Sequence, residues 1–170
     1  MPNRDAIFLL RQLMTEIASE SFTKALPELM PLFIEHWRET GLYRDTSRMK
    51  PSPELERYQL TEQQDDLLTL VARQNGAVVG YLIIFGQRHL HYRDTFVAIT
   101  DLPYVHSSVR NRGIGVRLFL AAEKIIKERG IHLWQSGSKI NSSLHPSMDR
   151  LLRHMKFEPT DLMYNKWLGE

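Results

Sequence analysis

The 170-residue sequence contains no cysteine, and its formal net charge at neutral pH is only +2. The missing cysteine excludes a disulfide framework, a thiol nucleophile and any cysteine-ligated zinc site. The nearly balanced charge does not indicate a basic nucleic-acid surface, so no nucleic-acid partner is expected. Apolar runs such as Tyr81–Phe85 are too short to span a bilayer, and the first residues lack the order of a secretory signal. We therefore expect a cytoplasmic protein without a membrane partner.

Candidate metal ligands are also few. His89 and His91 lie two residues apart in a spacing that some metal sites use, but the sequence offers no evident third ligand. Surface histidines are the simpler interpretation, and no metal site is predicted. What the sequence does have is 42% hydrophobic residues, which is enough for one substantial core in a chain of this length. Residues 1–170 are therefore predicted to form a single domain.

Hydrophobic periodicity and turn residues predict a mixed α/β domain. The predicted elements are, in order, a strand near Leu10–Ile17, a helix over the apolar positions from Leu26 to Trp37 that ends at Gly41, a loop over 41–52, a helix from Pro53 to about Gln64, strands Leu67–Arg73 and Ala77–Phe85, a turn-like stretch over 86–94, a strand Thr95–Val105, an amphipathic helix that ends before Gly130, a strand Leu133–Ser136, a helix Ser147–Met155 and a last strand Leu162–Leu168. Asn75-Gly76 between apolar strands predicts a tight hairpin. Pro31 is expected to kink the first helix or to delay its start.

The most informative stretch is a short loop, Arg110–Gly115, between an apolar strand and a strongly amphipathic helix. A glycine-containing loop at a helix N-terminus directs backbone N–H groups at an anion, and its arginines add positive charge. The loop is not a Walker A motif, because no Gly-x-x-x-x-Gly-Lys-Ser/Thr string occurs. It is not a dinucleotide fingerprint either, since Leu118 stands where a third glycine is required. The loop therefore predicts a phosphate-bearing ligand of another kind.

Arg110, Gly113 and Gly115 form an Arg-x-x-Gly-x-Gly pattern that resembles the pyrophosphate loop of the GNAT superfamily of acetyl-CoA-dependent N-acyltransferases. Two residues depart from the fuller family signature: Ser107 stands where proline is common, and Asn111 where glycine is common. The predicted element order is also similar to that of the family along nearly the whole chain. The resemblance implies one mixed central sheet of about six to seven strands flanked by about four helices, with a splayed V between the fourth and fifth strands. Phage-encoded members of the superfamily are the expected nearest relatives.

The resemblance also implies where acetyl-CoA binds. The pantetheine arm would pair with backbone groups of Tyr104 and Val105, as an extended peptide pairs with a strand edge. The pyrophosphate would be held by the loop and the first turn of the following helix. The residues implied for this loop contact are Arg110, Asn111, Arg112, Gly113, Ile114, Gly115 and Val116. Asn141 lies near where the family often places an asparagine on the pantetheine or on a bound water.

The catalytic residues depart from the family pattern. Many members carry a tyrosine acid five residues before the phenylalanine of a Gly-Phe pair, and the corresponding residue here is Leu152, five before Phe157. His145 and Tyr164 are the alternative candidates for the general acid, with a loop histidine and a half-buried strand tyrosine as the competing structural interpretations. Asp101 is the first candidate for the base, since a carboxylate in an apolar strand invites a raised pKa. A hydrogen-bonded aspartate at a strand bulge is its competing interpretation, and His106 is the second candidate.

Three functional classes follow from these observations. The first is an N-acetyltransferase that transfers the acetyl group of acetyl-CoA directly to a primary amine, with residues 36–50 as the expected acceptor wall. The second, favoured by Leu152, is a catalytically weak or inactive CoA-binding module that acts through protein–protein interaction. The third is a nucleotide-binding protein that uses the same loop for another phosphate. A monomer or a homodimer is compatible with each.

Overall fold

The computed structural model describes residues 14–40 and 51–169, in which five strands form a single mixed sheet. The strands lie side by side in the same order as along the chain. The strands are β1 (Thr15–Ser19), β2 (Leu67–Gln74), β3 (Ala77–Arg88), β4 (Phe96–Val105) and β5 (Leu133–Gln135), and the helices are α1 (Phe22–Thr40), α2 (Leu55–Gln63), α3 (Ile114–Glu128) and α4 (His145–His154). The mixed α/β architecture with four helices is confirmed within these residues. The five strands seen there are fewer than the six to seven expected.

The core lies on both faces of the sheet. On one face, α3 and α4 cover a cluster around Leu82, Leu118 and Phe119. On the other face, α1 and α2 cover a second cluster around Phe22 and Tyr81. The hairpin between β2 and β3 turns at Asn75 (φ 52°) and Gly76 (φ 81°), which are the positive φ values of a type I′ turn. The predicted hairpin is therefore confirmed.

Several predicted boundaries were wrong. Residues 162–168 form no strand and are exposed, with Tyr164 84% accessible, because apolar residues fall on both alternating faces of this segment and the neighbouring sheet edge is only three residues long. The first strand lies at Thr15–Ser19 rather than near Leu10–Ile17, of which residues 10–13 fall outside the described chain. β3 continues to Arg88 into the stretch that was expected to turn. The expected helix end at Gly41 and the loop over 41–50 also fall outside the described residues.

The expected delay of the first helix start at Pro31 was also wrong, and the expected kink stays a prediction. Helix α1 begins at Phe22 and runs through both Pro27 and Pro31. The two prolines are four residues apart and both are exposed, so they lie one above the other on the solvent face of the helix. The backbone hydrogen bonds that they remove therefore face water, and the buried face of the helix is not interrupted.

The sheet opens between β4 and β5. These two strands are parallel and pair only at Val97–Leu133, Ala98–Trp134 and Ile99–Gln135. β4 continues from there to Val105, whereas β5 ends at Gln135. The indole Nε1 of Trp134 donates a hydrogen bond to Thr100 Oγ1 at 2.9 Å just past the last pair. This arrangement confirms the predicted V, with its apex at Ile99–Gln135.

Helix α4 ends in a left-handed turn at a residue that is not glycine. Lys156 has φ 63°, and the N–H of Phe157 donates to the Leu152 carbonyl at 2.9 Å, as in a Schellman motif. A left-handed conformation costs an L-residue roughly 1–2 kcal/mol. Glycine avoids this cost, but it loses more backbone entropy on folding, so part of the gain is cancelled.

We expect Lys156→Gly to raise the free energy of unfolding by roughly 0.5–1 kcal/mol, because glycine adopts this φ without strain. Denaturant unfolding of the two proteins measures the difference. The matched control is Lys124→Gly in the middle of α3, which should lower the free energy of unfolding by about 1 kcal/mol. A Lys156→Gly variant that loses as much stability as this control would contradict the assignment of strain to Lys156.

No helix within the described residues is long and apolar enough to cross a membrane.

Candidate functional site

Beyond the apex of the V, the edge of β4 that faces away from β3 is free of strand partners in the described chain. On the β3 side, the His106 N–H donates to the Val79 carbonyl at 2.9 Å, and the Tyr104 carbonyl lies against Gly80. Because backbone groups alternate in direction along a strand, Val105 directs its N–H and C=O into the V. Of the two residues expected to pair with pantetheine, Val105 is thus the one with backbone groups on the open side.

The glycine loop lies at the mouth of the V and leads directly into α3. Gly113 has φ 74° and is the N-cap residue of α3, and the N–H of Arg117 donates to its carbonyl at 3.0 Å. The N–H groups of residues 114–116 precede this first helical hydrogen bond and therefore point out of the N-terminus. Asn111 also has a positive φ, 63°. The expected anion cradle is thus present as backbone geometry.

The two glycines leave room for a ligand at this terminus. A Cβ placed on Gly113 would meet no heavy atom of the described residues within 4 Å, and one on Gly115 would reach only Leu151 at 3.6 Å. Gly113 is required by its φ rather than by crowding. The described packing therefore leaves open space where a side chain on either glycine would stand.

The side chain of Arg110 is committed to the protein itself. Its Nε donates to the Val105 carbonyl at 2.8 Å, and its Nη2 donates to Glu39 of α1 at 2.6 Å. The guanidinium also lies over the ring of Tyr104, 5.4 Å from the centroid, and the Tyr104 hydroxyl donates to Glu39 at 3.1 Å. Arg110 consequently joins the end of β4 to α1, while Asn111 and Arg112 are exposed in the loop.

Asp101 lies at an irregularity in β4, just past the apex of the V. The β3–β4 register passes from Ile83–Leu102 to Ile84–Thr100, which leaves Asp101 without an opposing residue. The Tyr58 hydroxyl of α2 donates to its Oδ2 at 2.5 Å. Although Asp101 as a whole is exposed, removal of water from around its carboxyl raises its pKa, and the Tyr58 hydrogen bond partly opposes this rise. Asp101 is therefore a hydrogen-bonded aspartate at a bulge with a raised pKa, and its role as the base stays a prediction.

We expect Tyr58→Phe to raise the pKa of Asp101 further, because the variant loses the hydrogen bond that stabilises the carboxylate. Phenylalanine keeps the ring that stacks on Phe22 at 4.9 Å. The pKa is measured by NMR titration of the carboxyl carbon. Tyr92→Phe, at an exposed ring in the turn before β4, is the control that should leave it unchanged. A lower pKa of Asp101 in Tyr58→Phe would contradict this interpretation.

Lys139 crosses the V from the opposite side. It follows β5, and its Nζ donates to the carbonyl of Thr40 at the end of α1, at 2.9 Å. Partial burial lowers the pKa of this ammonium, and the negative charge of Asp101 partly opposes the shift. The charge of Lys139 also acts on His36, which is buried with its Nδ1 2.9 Å from the Tyr81 hydroxyl. Burial lowers the pKa of His36 to about 4, so this side chain is neutral at pH 7.

The remaining predicted site residues lie in different environments. His145 begins α4, and its Nδ1 is 2.8 Å from Ser138 Oγ. Asn141 is exposed in the preceding turn, and Tyr164 is exposed in the C-terminal segment. His106 caps the short 3-10 turn Ser107–Val109, with its Nε2 3.2 Å from Glu35. The structure does not gather these side chains around Asp101.

Leu152, which occupies the expected tyrosine position, packs against the core cluster beneath α3 and α4. Three polar residues that sequence reasoning did not single out are Tyr58, Lys139 and Ser136. The Ser136 hydroxyl is buried directly after β5 and has no hydrogen-bond partner in the described residues. None of the three carried a sequence signal, because each acts through residues distant along the chain or through burial. Glu39, the partner of Arg110, belongs to the expected acceptor wall. Of the expected acceptor wall, residues 36–40 belong to α1 and residues 41–50 fall outside the described chain.

These groups fit the donor chemistry of acetyl-CoA. An extended amide-bearing arm needs strand-edge partners, which the Val105 N–H supplies, and a pyrophosphate needs a helix N-terminus, which α3 supplies. The residues present are therefore compatible with this cosubstrate.

Comparison with known proteins agrees with this geometry. The model of the acetyltransferase (GNAT) family matches residues 13–147. Among solved structures, the fold is similar to a GCN5-related N-acetyltransferase from Ralstonia eutropha JMP134, with 19% identity, a TM-score of 0.72, and 92% of this chain and 100% of that chain covered. It is also similar to a ribosomal-protein-alanine N-acetyltransferase from Brucella melitensis biovar Abortus 2308, with 19% identity, a TM-score of 0.66 and coverages of 92% and 100%.

A third similar structure is the aminoglycoside N-acetyltransferase AAC(6')-Iy in complex with CoA, with 16% identity, a TM-score of 0.64, and 89% of this chain and 99% of that chain covered. A search of curated protein sequences finds no significant match. At these identities the three structures establish a common fold, and the family match extends over most of the chain. The phage-type expectation stays a prediction.

Proposed function

The chain belongs to the GNAT acetyltransferase family, and from this premise we propose that it transfers the acetyl group of acetyl-CoA to a primary amine by direct attack in a ternary complex. The amine belongs to a small molecule, a peptide N-terminus or a protein lysine. The observation that carries the proposal is the V between β4 and β5, whose open edge leads from Asp101 to the N-terminus of α3. A CoA complex of a protein with a similar fold supports the choice of donor.

The donor site would consist largely of backbone. The Val105 N–H would bind the pantetheine arm, and the N–H groups from Asn111 to Val116 would bind the pyrophosphate with the help of the helix dipole. Bound there, acetyl-CoA supplies an activated acetyl thioester. Arg110 would act indirectly, because its side chain fixes the loop to β4 and α1 rather than reaching outward.

Transfer to an amine forms an N–C bond, breaks the C–S bond and moves a proton away from nitrogen. Asp101 is the proposed general base, since it lies past the apex of the V and its raised pKa makes its carboxylate a stronger proton acceptor than an ordinary aspartate. The Tyr58 hydrogen bond would hold the carboxylate in one orientation. With Leu152 in the core, His145 and Tyr164 are the proposed sources of the proton for the thiolate. No covalent enzyme intermediate is required, which suits a chain without cysteine.

The acceptor would approach on the face where α1 and α2 cover the sheet. Glu35 of α1 and Asp101 of β4 place carboxylates on this side that would attract a cationic amine, whereas Glu39 is paired with Arg110. Two of the proteins with similar folds are named for aminoglycoside and ribosomal-protein-alanine acetylation, and both acceptors carry amines. The proposal includes a cytoplasmic location and a monomer or homodimer.

Calorimetric titration tests the donor assignment first. Acetyl-CoA is expected to bind, whereas ATP and NAD at the same concentrations are not. Incubation with isotopically labelled acetyl-CoA and a panel of amines, peptides and proteins, followed by mass spectrometry, then identifies the acceptor. Binding of ATP in preference to acetyl-CoA would instead support the nucleotide-binding alternative.

A second candidate function is a CoA-binding module that acts through protein–protein interaction. The packing of Leu152 into the core at the position of the family's tyrosine acid favours it. Tight binding of acetyl-CoA without transfer to any member of the acceptor panel would support this module over the enzyme.

A further inference from the structure

Lys139, which is exposed as a whole residue, places a primary amine beside the proposed catalytic cleft. Its Nζ lies 2.9 Å from the Thr40 carbonyl, so the side chain spans the V from the segment after β5 to the end of α1. The nearby Asp101 carboxyl acts on its charge. The ammonium of a substrate would also require a hydrogen-bonding carbonyl and a nearby carboxylate. Lys139 therefore occupies the kind of environment that a substrate amine would need.

The direction of the proposed donor site brings the acetyl group towards this amine. Val105 and the glycine loop lie at the mouth of the V, and Asp101 lies four residues back along β4, towards the apex. This separation is about 13 Å at ~3.3 Å per strand residue. An arm anchored by its pyrophosphate at α3 and by the Val105 N–H extends along β4 towards Asp101. Its thioester end therefore comes to the side of the V that Lys139 crosses.

We propose that Lys139 is itself an acetylation site, modified by the chain's own active site when no acceptor occupies it. The inference rests on the proposed function. It names Lys139 as the amine that is acetylated when no other acceptor is bound. The partial burial of the ammonium supports it, because a lysine with a lowered pKa supplies the neutral amine more readily.

The step balances without an oxidant or reductant. The ammonium of Lys139 first releases one proton to solvent. Nζ then forms a bond to the acetyl carbon as the C–S bond breaks, with the electron pair going to sulfur. Asp101 accepts the second proton from Nζ, and a proton returns to the sulfur to give CoA. The product lacks the positive charge that now lies against the end of α1.

The test uses the full chain with isotopically heavy acetyl-CoA and no added acceptor, followed by peptide mapping at several times. We expect one heavy acetyl group per chain, on Lys139, at a rate at least about a hundredfold above that on Lys124 or Lys127. These two lysines are built-in controls because their side chains are 77% and 71% exposed and Lys139 is exposed as well, so non-enzymatic acetylation would label all three. Equal labelling of all three lysines would overturn the proposal.

Variants separate this inference from the proposed function. Lys139→Arg should lose the label, Lys124→Arg should keep it, and Asp101→Asn should slow labelling roughly a hundredfold or more. Lys139 can also carry an acetyl group of natural isotopic mass that it acquired during expression. Absence of this group from a Gly113→Asp variant supports the proposal, whereas its persistence there argues for acetylation by another enzyme. An unlabelled Lys139 in a chain that binds acetyl-CoA and acetylates an acceptor overturns only the inference. A chain that does not bind acetyl-CoA overturns both.

Discussion

Gly113→Asp is expected to weaken acetyl-CoA binding by about 10²–10³-fold, or roughly 3–4 kcal/mol. Gly113 is the N-cap residue of α3 in a left-handed conformation, so aspartate is strained there and adds a negative charge beside the first free N–H groups of the helix. The introduced carboxylate would therefore repel the pyrophosphate and shift the loop that is proposed to bind it. Calorimetry measures the dissociation constants of the two proteins.

Two variants isolate the cause of that loss. Gly113→Asn has nearly the same shape without the charge, so its affinity should lie between those of the other two proteins. Gly76→Asp is the matched control for backbone strain, because Gly76 also has a positive φ of 81° and no described heavy atom within 4 Å of an added Cβ. This hairpin variant should be less stable but should bind acetyl-CoA normally. Unchanged affinity in Gly113→Asp would place the phosphate site elsewhere.

Asp101→Asn is expected to lower kcat/KM for the acceptor by about 10²–10⁴-fold, because the amide cannot accept the amine proton. Its side-chain oxygen can still accept the Tyr58 hydrogen bond, so the local geometry is retained. The affinity for acetyl-CoA should stay the same. Asp94→Asn, in the exposed turn before β4, is the control that should retain activity.

The change in stability caused by Asp101→Asn distinguishes a general base from a carboxylate with a structural role. A carboxyl whose pKa is raised in the folded state stabilises that state at low pH, and this contribution is lost as the pH rises through the folded-state pKa. At neutral pH the ionised Asp101 is therefore unfavourable in the folded protein. Asp101→Asn should be no less stable than the natural chain at pH 7 while losing activity. A variant that unfolds more readily and keeps its kcat/KM would assign Asp101 a structural role and make His106 the next base to test.

The elements predicted correctly from the sequence depend on local signals. Asn75-Gly76 determines its turn through backbone preferences of two adjacent residues, and the glycine loop lies where a strand pattern changes to a helix pattern. The predicted strand Leu162–Leu168 was wrong for a related reason. An apolar segment becomes a strand only where a neighbouring sheet edge is available, and no local sequence pattern indicates that edge. The start of α1 before Pro31 was not predicted because the exposure of this helix face is a tertiary property.

The side-chain partners of the candidate site were beyond prediction because they connect distant parts of the chain. Tyr58 is 43 residues from Asp101, Glu39 is 71 residues from Arg110, and Lys139 is 99 residues from Thr40. Single-sequence patterns extend over one element and do not specify such pairs. The family resemblance directed attention to Arg110 as a phosphate contact, whereas the structure shows its side chain holding α1 and β4 together.

The short seam between β4 and β5 has a consequence for motion. In the described residues β5 is attached to β4 by three residue pairs and by the hydrogen bond from Trp134 to Thr100, with Trp134 packed against Phe119 and Phe157. Local opening costs less free energy where fewer contacts must break, so we expect this seam to open more readily than the nine-pair ladder between β3 and β4. A molecule that bridges the V binds both sides of that seam. Occupancy of the cleft therefore suppresses the fluctuation that admits the molecule, and release of product requires the seam to loosen again.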